Sequence, residues 1–289
     1  MSTLEKLGAR IAAANTGDAT AREMLRLHLA DTVGAWLAGA NIREGRELRT
    51  AAAKGDAGPL GEGLASQVML NCAMTRLSEI DDIHLAAGTT PGSLIVPAAL
   101  TLSAAWGITD KSVLSGALQA GYDALVRLGE EMGGASILYR GIWPTYFNAP
   151  FGVAAVASRL LGLDALATAH ALGLALVMAS PNVGQQSGKM ARWLLLSVAA
   201  KNGVIAALAA KEGYTADLAL LDKPFHAVYG LKIDAGRLLN AMEKPGAILE
   251  VGFKPWCAAR QTMAAVQGLK DLMAAGLNPG DVESIEVSV

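Results

Sequence analysis

The stretch "WLLLSVAAKNGVIAALAAKE", residues 193–212, decides the fold class. It is apolar nearly all round, and its alanines and glycine permit close approach, which in a soluble chain marks a helix central to a bundle. The segment "FGVAAVASRLLG", residues 151–162, reads the same way. Two such helices predict a mainly α-helical core with further helices laid around it.

Composition agrees. Hydrophobic residues make up 52% of the 289 residues and charged residues 17%. That is too little charge to solvate long helices on every side, so helices must cover one another, and extensive subunit contacts are expected. "ALATAHALGLALVMASPNVG", residues 165–184, comes nearest to a membrane span, but it carries His170 and Pro181 and is mostly small residues. It reads as a core helix, and no membrane partner is expected.

Helical signals run from residue 3 to about 276. Thr20 followed by Glu23 predicts a capping box, Asp110 and Asp164 stand as N-caps, and Gly213 and Gly276 stop helices. The stretch "GGASILYRGIWPTYFNAP", residues 133–150, is the longest non-helical candidate and a natural pocket wall. After residue 276 the period changes, and "VESIEVSV" alternates as a half-buried strand does. The expected domains are a helical unit over 1–276 and, over 277–289, a strand that either joins a sheet supplied by another chain or begins a second domain.

Charge and cysteine content exclude several classes. A net charge of -2 and a pI near 6.1 provide no basic face for nucleic acid. Cys72 and Cys257 form neither a disulfide framework nor a zinc signature, and the N-terminus lacks a signal-peptide pattern, so a cytoplasmic location is expected. No HExxH, clustered histidine pair or nucleotide-binding glycine pattern occurs, and neither a metal nor a nucleotide site is predicted. His28 and His170 lie within helical patterns and read as core or surface residues, while His226 is open to either reading.

Polar groups concentrate in "SEIDDIHLAAGTTPGSLIVPAAL", residues 78–100. Thr89 or Thr90 is placed to cap a helix with Pro91 in its first turn, leaving the N–H groups of Gly92 and Ser93 to receive a carboxylate or phosphate; the plain alternative is an ordinary capped helix. Asp81, Asp82 and His84, with Glu79, are candidates for acid–base chemistry, or for capping a loop. Lys189, Arg192, Lys254 and Arg260 are cations in apolar surroundings and require anions, from a substrate or from these same acids. Tyr146 is a candidate proton donor, or a packing residue.

Together these stretches resemble the MmgE/PrpD family. "LADTVGAWLAG" (29–39) is similar to the family's Asp-Thr-x-Gly helix, "NCAMTRLSEIDDIH" (71–84) to its Asp-Asp-x-His stretch, and "TPGSLIVPAAL" (90–100) to its His-Pro-Gly helix start. "GALQAGYDALVRLG" (116–129), "PFGVAAVASRLLGLD" (150–164), "AAKEGYTA" (209–216) and "FKPWCAAR" (253–260) follow in the family's order. The resemblance implies an all-helical domain, a homodimer, and a metal- and cofactor-independent active site facing a small α+β lid. It also implies that the tail would be the lid's first strand, the remainder being truncated or carried on a second polypeptide.

The chain departs from the family mainly at histidines. Arg76, Thr90, Trp143, Leu195 and Met263 stand where the family has histidine, and Arg192 where it has lysine. Fewer groups then titrate near neutrality, and Trp143 and Leu195 are expected to make the pocket less polar. The expected function is a lyase or isomerase acting through an enolate-like intermediate by dehydration, decarboxylation, epimerisation or cyclisation. Its catalytic candidates are Asp81, Asp82, His84, Tyr146 and Lys254. Thr90, Gly92, Ser93, Trp143, Lys189, Arg192 and Arg260 are expected to bind a carboxylate or carbonyl substrate larger or less anionic than methylcitrate. The alternative is a divergent scaffold subunit that binds a small acid or a partner chain.

Overall fold

The computed structural model describes residues 1–16, 18–53, 63–180, 191–223, 230–231, 233–244 and 246–288, apart from the side chains of 53, 191 and 192. Eleven α-helices follow one another among these residues: α1 (Thr3–Ala12), α2 (Ala19–Asn41), α3 (Arg43–Ala53), α4 (Leu64–Leu77), α5 (Gly92–Ala105), α6 (Lys111–Glu131), α7 (Pro144–Leu161), α8 (Ala165–Val177), α9 (Ala191–Lys211), α10 (Ala235–Ala241) and α11 (Met263–Ala274). Within the described residues there is no β-strand, only isolated bridges, so the all-helical class is the observed one.

Helix α7 is the centre. Sixteen of its residues are buried, and α5, α6, α8 and α9 pack around it. Gly203 sets the α9 crossing, since a Cβ there would lie 2.5 Å from the Pro150 carbonyl on α7. Cys72 on α4 is buried and unbridged, and burial pushes its thiol pKa up.

The caps follow local chemistry. Asp110 and Asp164 accept backbone N–H groups from Ser112 and Ala167, and Gly213 and Gly276 take left-handed φ of 89° and 107° just after α9 and α11. At α2 the expected Thr20–Glu23 box is not formed. Asp18 caps instead, accepting from Thr20 and Ala21, while Glu23 pairs with Arg26.

Three other expectations change. The expected loop over 133–150 is a 3-10 turn, Gly134–Arg140, followed by α7 itself, because Pro144 sits in the helix's first turn, where its missing N–H costs nothing. Helix α9 is central on one side only. It packs on α4, α7 and α8, but Leu194, Leu195, Val198 and Ile205 form an exposed stripe. Over Trp193–Lys211 it is long and apolar enough to cross a membrane, yet half of that window is buried in the chain's own fold. Finally, residues 282–288 form no β-ladder, since a strand needs a partner and none is present among the described residues. Among the described residues the last buried one is Lys254, and α11 has none.

Candidate active site

Between α4 and α5 the backbone runs extended. Ile83 exchanges two hydrogen bonds with Gly252, each 2.9 Å, and His84 pairs with Thr89 at 2.8 and 3.2 Å. Successive side chains of extended backbone point to opposite sides. Asp81 and Ile83 therefore face one way, and Asp82 and His84 the other.

On the first side, Oδ1 of fully buried Asp81 accepts from Arg76 at 3.0 Å and from Lys254 at 2.9 Å, while its Oδ2 is buried with no hydrogen-bond partner. Arg76 also donates to Glu79 at 2.8 Å, and Lys254 to the Glu79 carbonyl at 3.0 Å. Burial works against the Arg76 charge, but Asp81, Glu79 and Tyr146 around the guanidinium outweigh it and raise its pKa. Glu79 is the one non-glycine residue with positive φ, at 57°, among the described residues. This turn presents its carbonyl to Lys254.

Above this cluster lies a cleft of about 170 Å³. Arg76, Glu79, Lys254 and Arg260 supply its charged lining, Thr90 and Thr145 its hydroxyls, and Ile83, Leu138 and Trp143 its apolar wall. Trp143 is stacked on Tyr146, with ring centroids 4.9 Å apart and planes at 15°. The Thr90 N–H donates to Thr145 Oγ1 at 3.2 Å, whereas the Thr90 hydroxyl is buried with no hydrogen-bond partner. Arg260 is exposed at the edge and makes no ion pair with the described residues.

On the other side, Asp82 closes the start of α5. Its Oδ1 accepts the Gly92 N–H at 2.7 Å, and its Oδ2 accepts the Tyr122 hydroxyl at 2.8 Å and lies 3.0 Å from His28 Nδ1. This corrects the expected cap, because α5 begins with Pro91 in helical conformation and neither the Thr89 nor the Thr90 hydroxyl bonds to its first turn. The cradle expected at Gly92 holds a carboxylate of the chain itself. Ser93 is fully buried, and its hydroxyl donates to the Thr90 carbonyl at 3.0 Å. Beside this cluster the half-buried Asp31 has its pKa pushed up to about 6 by burial and by the nearby Asp82 charge.

His84 turns away from the cleft. Its Nδ1 accepts the Ala87 N–H at 3.0 Å, which places the ring proton on Nε2, 3.8 Å from Glu130 and 3.6 Å from Glu250. Arg127 donates to the same two carboxylates at 2.9 and 2.5 Å, holding the Glu250 pKa down. The grouping of His84, Glu130 and Glu250 has the spacing of a metal site. The group as it stands is arranged for an ion-pair network instead, since Arg127 neutralises both carboxylates and the Ala87 N–H on Nδ1 leaves the His84 proton on the nitrogen that faces them.

Of the residues expected from sequence, Thr90, Trp143, Lys254 and Arg260 line the cleft together, with Asp81 directly behind Lys254 and Tyr146 behind Trp143. Asp82, His84, Gly92 and Ser93 do not line it. Lys189 and the side chain of Arg192 lie outside the described residues, as does His226. Leu195, expected to line the pocket, is on the exposed stripe of α9. Sequence reasoning missed Thr145 and the part played by His28, and it read Arg76 as a lost histidine rather than as a partner of Asp81. The spacing of Arg76 to Glu79 and Asp81, three and five residues, was the available signal.

A sequence model of the MmgE/PrpD N-terminal domain matches residues 5–231. The chain belongs to the MmgE/PrpD family. Its relatives include a cis-aconitate decarboxylase-like protein, oryM, of Aspergillus oryzae, 33% identical over 174 residues, which are 56% of this chain and 35% of that protein. Cis-aconitate decarboxylase of Aspergillus terreus is 29% identical over 170 residues, 56% of this chain and 34% of the enzyme. The match thus spans about a third of the length of these curated relatives. Membership of the MmgE/PrpD family, with decarboxylase relatives, supports a lyase-type function in general.

Proposed function

We propose that the cleft binds a small carboxylate- or carbonyl-containing molecule and that the chain is part of a cofactor-independent lyase or isomerase. The observation that carries this reading is the placement of Lys254. Its ammonium is fixed by Asp81 Oδ1 and the Glu79 carbonyl, and its third N–H has no partner among the described residues on the cleft floor. Arg76 and the Thr90 hydroxyl flank it, so positive charge and a donor converge where an enolate oxygen would develop.

An ammonium delivers a proton more readily than it takes one. Among the candidate reactions this favours decarboxylation, in which the C–C bond to the carboxylate breaks, carbon dioxide leaves, and the electron pair left on carbon receives a proton from Lys254 Nζ. The names of the relatives support the same choice. Asp81 does not reach the cleft and acts through Lys254 and Arg76 as a positioning residue. The exposed stripe of α9 supports the expected homodimer, since apolar side chains in a row gain by burial.

The test is to incubate candidate carboxylic acids with the protein in deuterium oxide and to follow label at the carbon next to the lost or retained carboxylate. Wild type should introduce one deuterium, and Lys254→Met should lose that incorporation. Unchanged labelling in the variant would remove Lys254 from the reaction, and binding without labelling by wild type would favour the scaffold reading instead.

A further inference from the structure

The cleft carries a charge balance unlike that of a polyanion site. Three cations line it, Arg76, Lys254 and Arg260, but Arg76 and Lys254 are already met by Glu79 and Asp81 within hydrogen-bond distance. One unmatched positive charge remains among the described lining residues, on Arg260. Each further ligand carboxylate would enter a narrow, partly dehydrated space beside Glu79 with no further cation among the described lining residues to meet it, which is costly.

The rest of the lining combines the polar Thr90, Thr145 and Gln261 with apolar side chains. Ile83, Ala135, Leu138 and the Trp143 indole form the opposite wall, and the stack on Tyr146 holds the indole plane in place. Of the buried hydroxyls in this lining, that of Thr90 has no hydrogen-bond partner among the described residues. A volume of about 170 Å³ lies below the ~300–1,000 Å³ of pockets for drug-sized ligands, so the ligand is small.

Resting on the reading of this cleft as the substrate site, we infer that its ligand is a small monocarboxylic acid with an apolar, flat remainder. The carboxylate pairs with Arg260, an oxygen substituent or the second carboxylate oxygen accepts from Thr90 or Lys254, and the hydrocarbon part lies along Trp143. The size of the space excludes a larger ligand, and the charge balance makes it less anionic than a tricarboxylate.

Calorimetric titration of the full chain at low ionic strength, with trans-cinnamate, hexanoate, cis-aconitate and citrate as probes, tests this. Cinnamate and hexanoate should bind at least about tenfold tighter than either polyacid. Arg260→Gln, at an exposed position, should weaken both monocarboxylates about tenfold without shifting the melting temperature. Trp143→His should weaken cinnamate and tighten cis-aconitate. Tighter binding of citrate or cis-aconitate than of either monocarboxylate by wild type overturns the assigned class while leaving the cleft as an acid site. Absence of binding by all four acids overturns both the class and the reading of the cleft.

Discussion

Lys254 Nζ lies 2.9 Å from Oδ1 of Asp81, a residue 173 positions earlier in the chain. Both side chains are almost wholly buried, and the pair ties the segment after the last core turn to the extended stretch between α4 and α5. Removing one partner from such a pair leaves an unbalanced buried charge, at a cost of about 3–5 kcal/mol. Asp81→Asn, which leaves Lys254 without a carboxylate partner and Arg76 with Glu79 alone, should destabilise the protein by that amount in urea unfolding. The double variant with Lys254→Met should lose less than the sum of the single changes, because the second substitution removes the charge that the first leaves unbalanced.

Gly92→Ala tests the Asp82 seat. The new Cβ would lie 2.6 Å from Asp82 Oδ2, a contact that real Cβ atoms do not make, and the carboxylate is hemmed in by Tyr122 and His28. Alanine would otherwise favour the helix, so a loss of about 1–3 kcal/mol in the urea midpoint identifies the clash as decisive. A gain in stability would show that Asp82 has room to move.

Asp31 gives a pH dependence whose sign opposes the usual carboxylate behaviour. Its folded pKa is about 6 against a reference of 3.8, so between these values the folded state holds a proton that the unfolded state has released. Its contribution to stability is full below about 3.8 and is lost as pH rises towards 6. Asp31→Asn should flatten that part of the stability curve. Above pH 6 the variant should be more stable by about 1 kcal/mol, allowing for solvent screening of a half-buried group.

At Glu79 two substitutions separate backbone from charge. Glu79→Ala and Glu79→Gly both remove the carboxylate that faces Arg76, but only alanine keeps a Cβ at a φ of 57°. The glycine variant should therefore be the more stable of the two by about 1 kcal/mol in thermal or urea unfolding. Equal stabilities would mean that the turn relaxes once the ion pair is gone.

Much of the helical fold was legible because its signals are local. Asp110, Asp164, Gly213 and Gly276 act within one turn of their own helices, and the apolar run of α7 marks the core whatever surrounds it. What was not legible depends on partners distant in sequence or on phase. Asp81 and Asp82 are adjacent and chemically identical, and only the pairing of Ile83 with Gly252 decides which one meets Lys254 and which one meets Tyr122. The exposed stripe of α9 was hidden for a related reason. An all-round apolar helix does not declare which of its faces the rest of the chain will cover.

The internal carboxylate at the head of α5 also separates two properties that many anion sites combine. Where a ligand sits on a helix N-terminus, backbone amides do the holding, and sequence change can hardly retune them. Here Asp82 fills that position, and the cleft's character lies in exchangeable side chains such as Thr90, Trp143 and Arg260. The scaffold can therefore keep its helix anchored while single substitutions redirect what it accepts, a division of labour suited to diversification of substrate range within a fixed architecture.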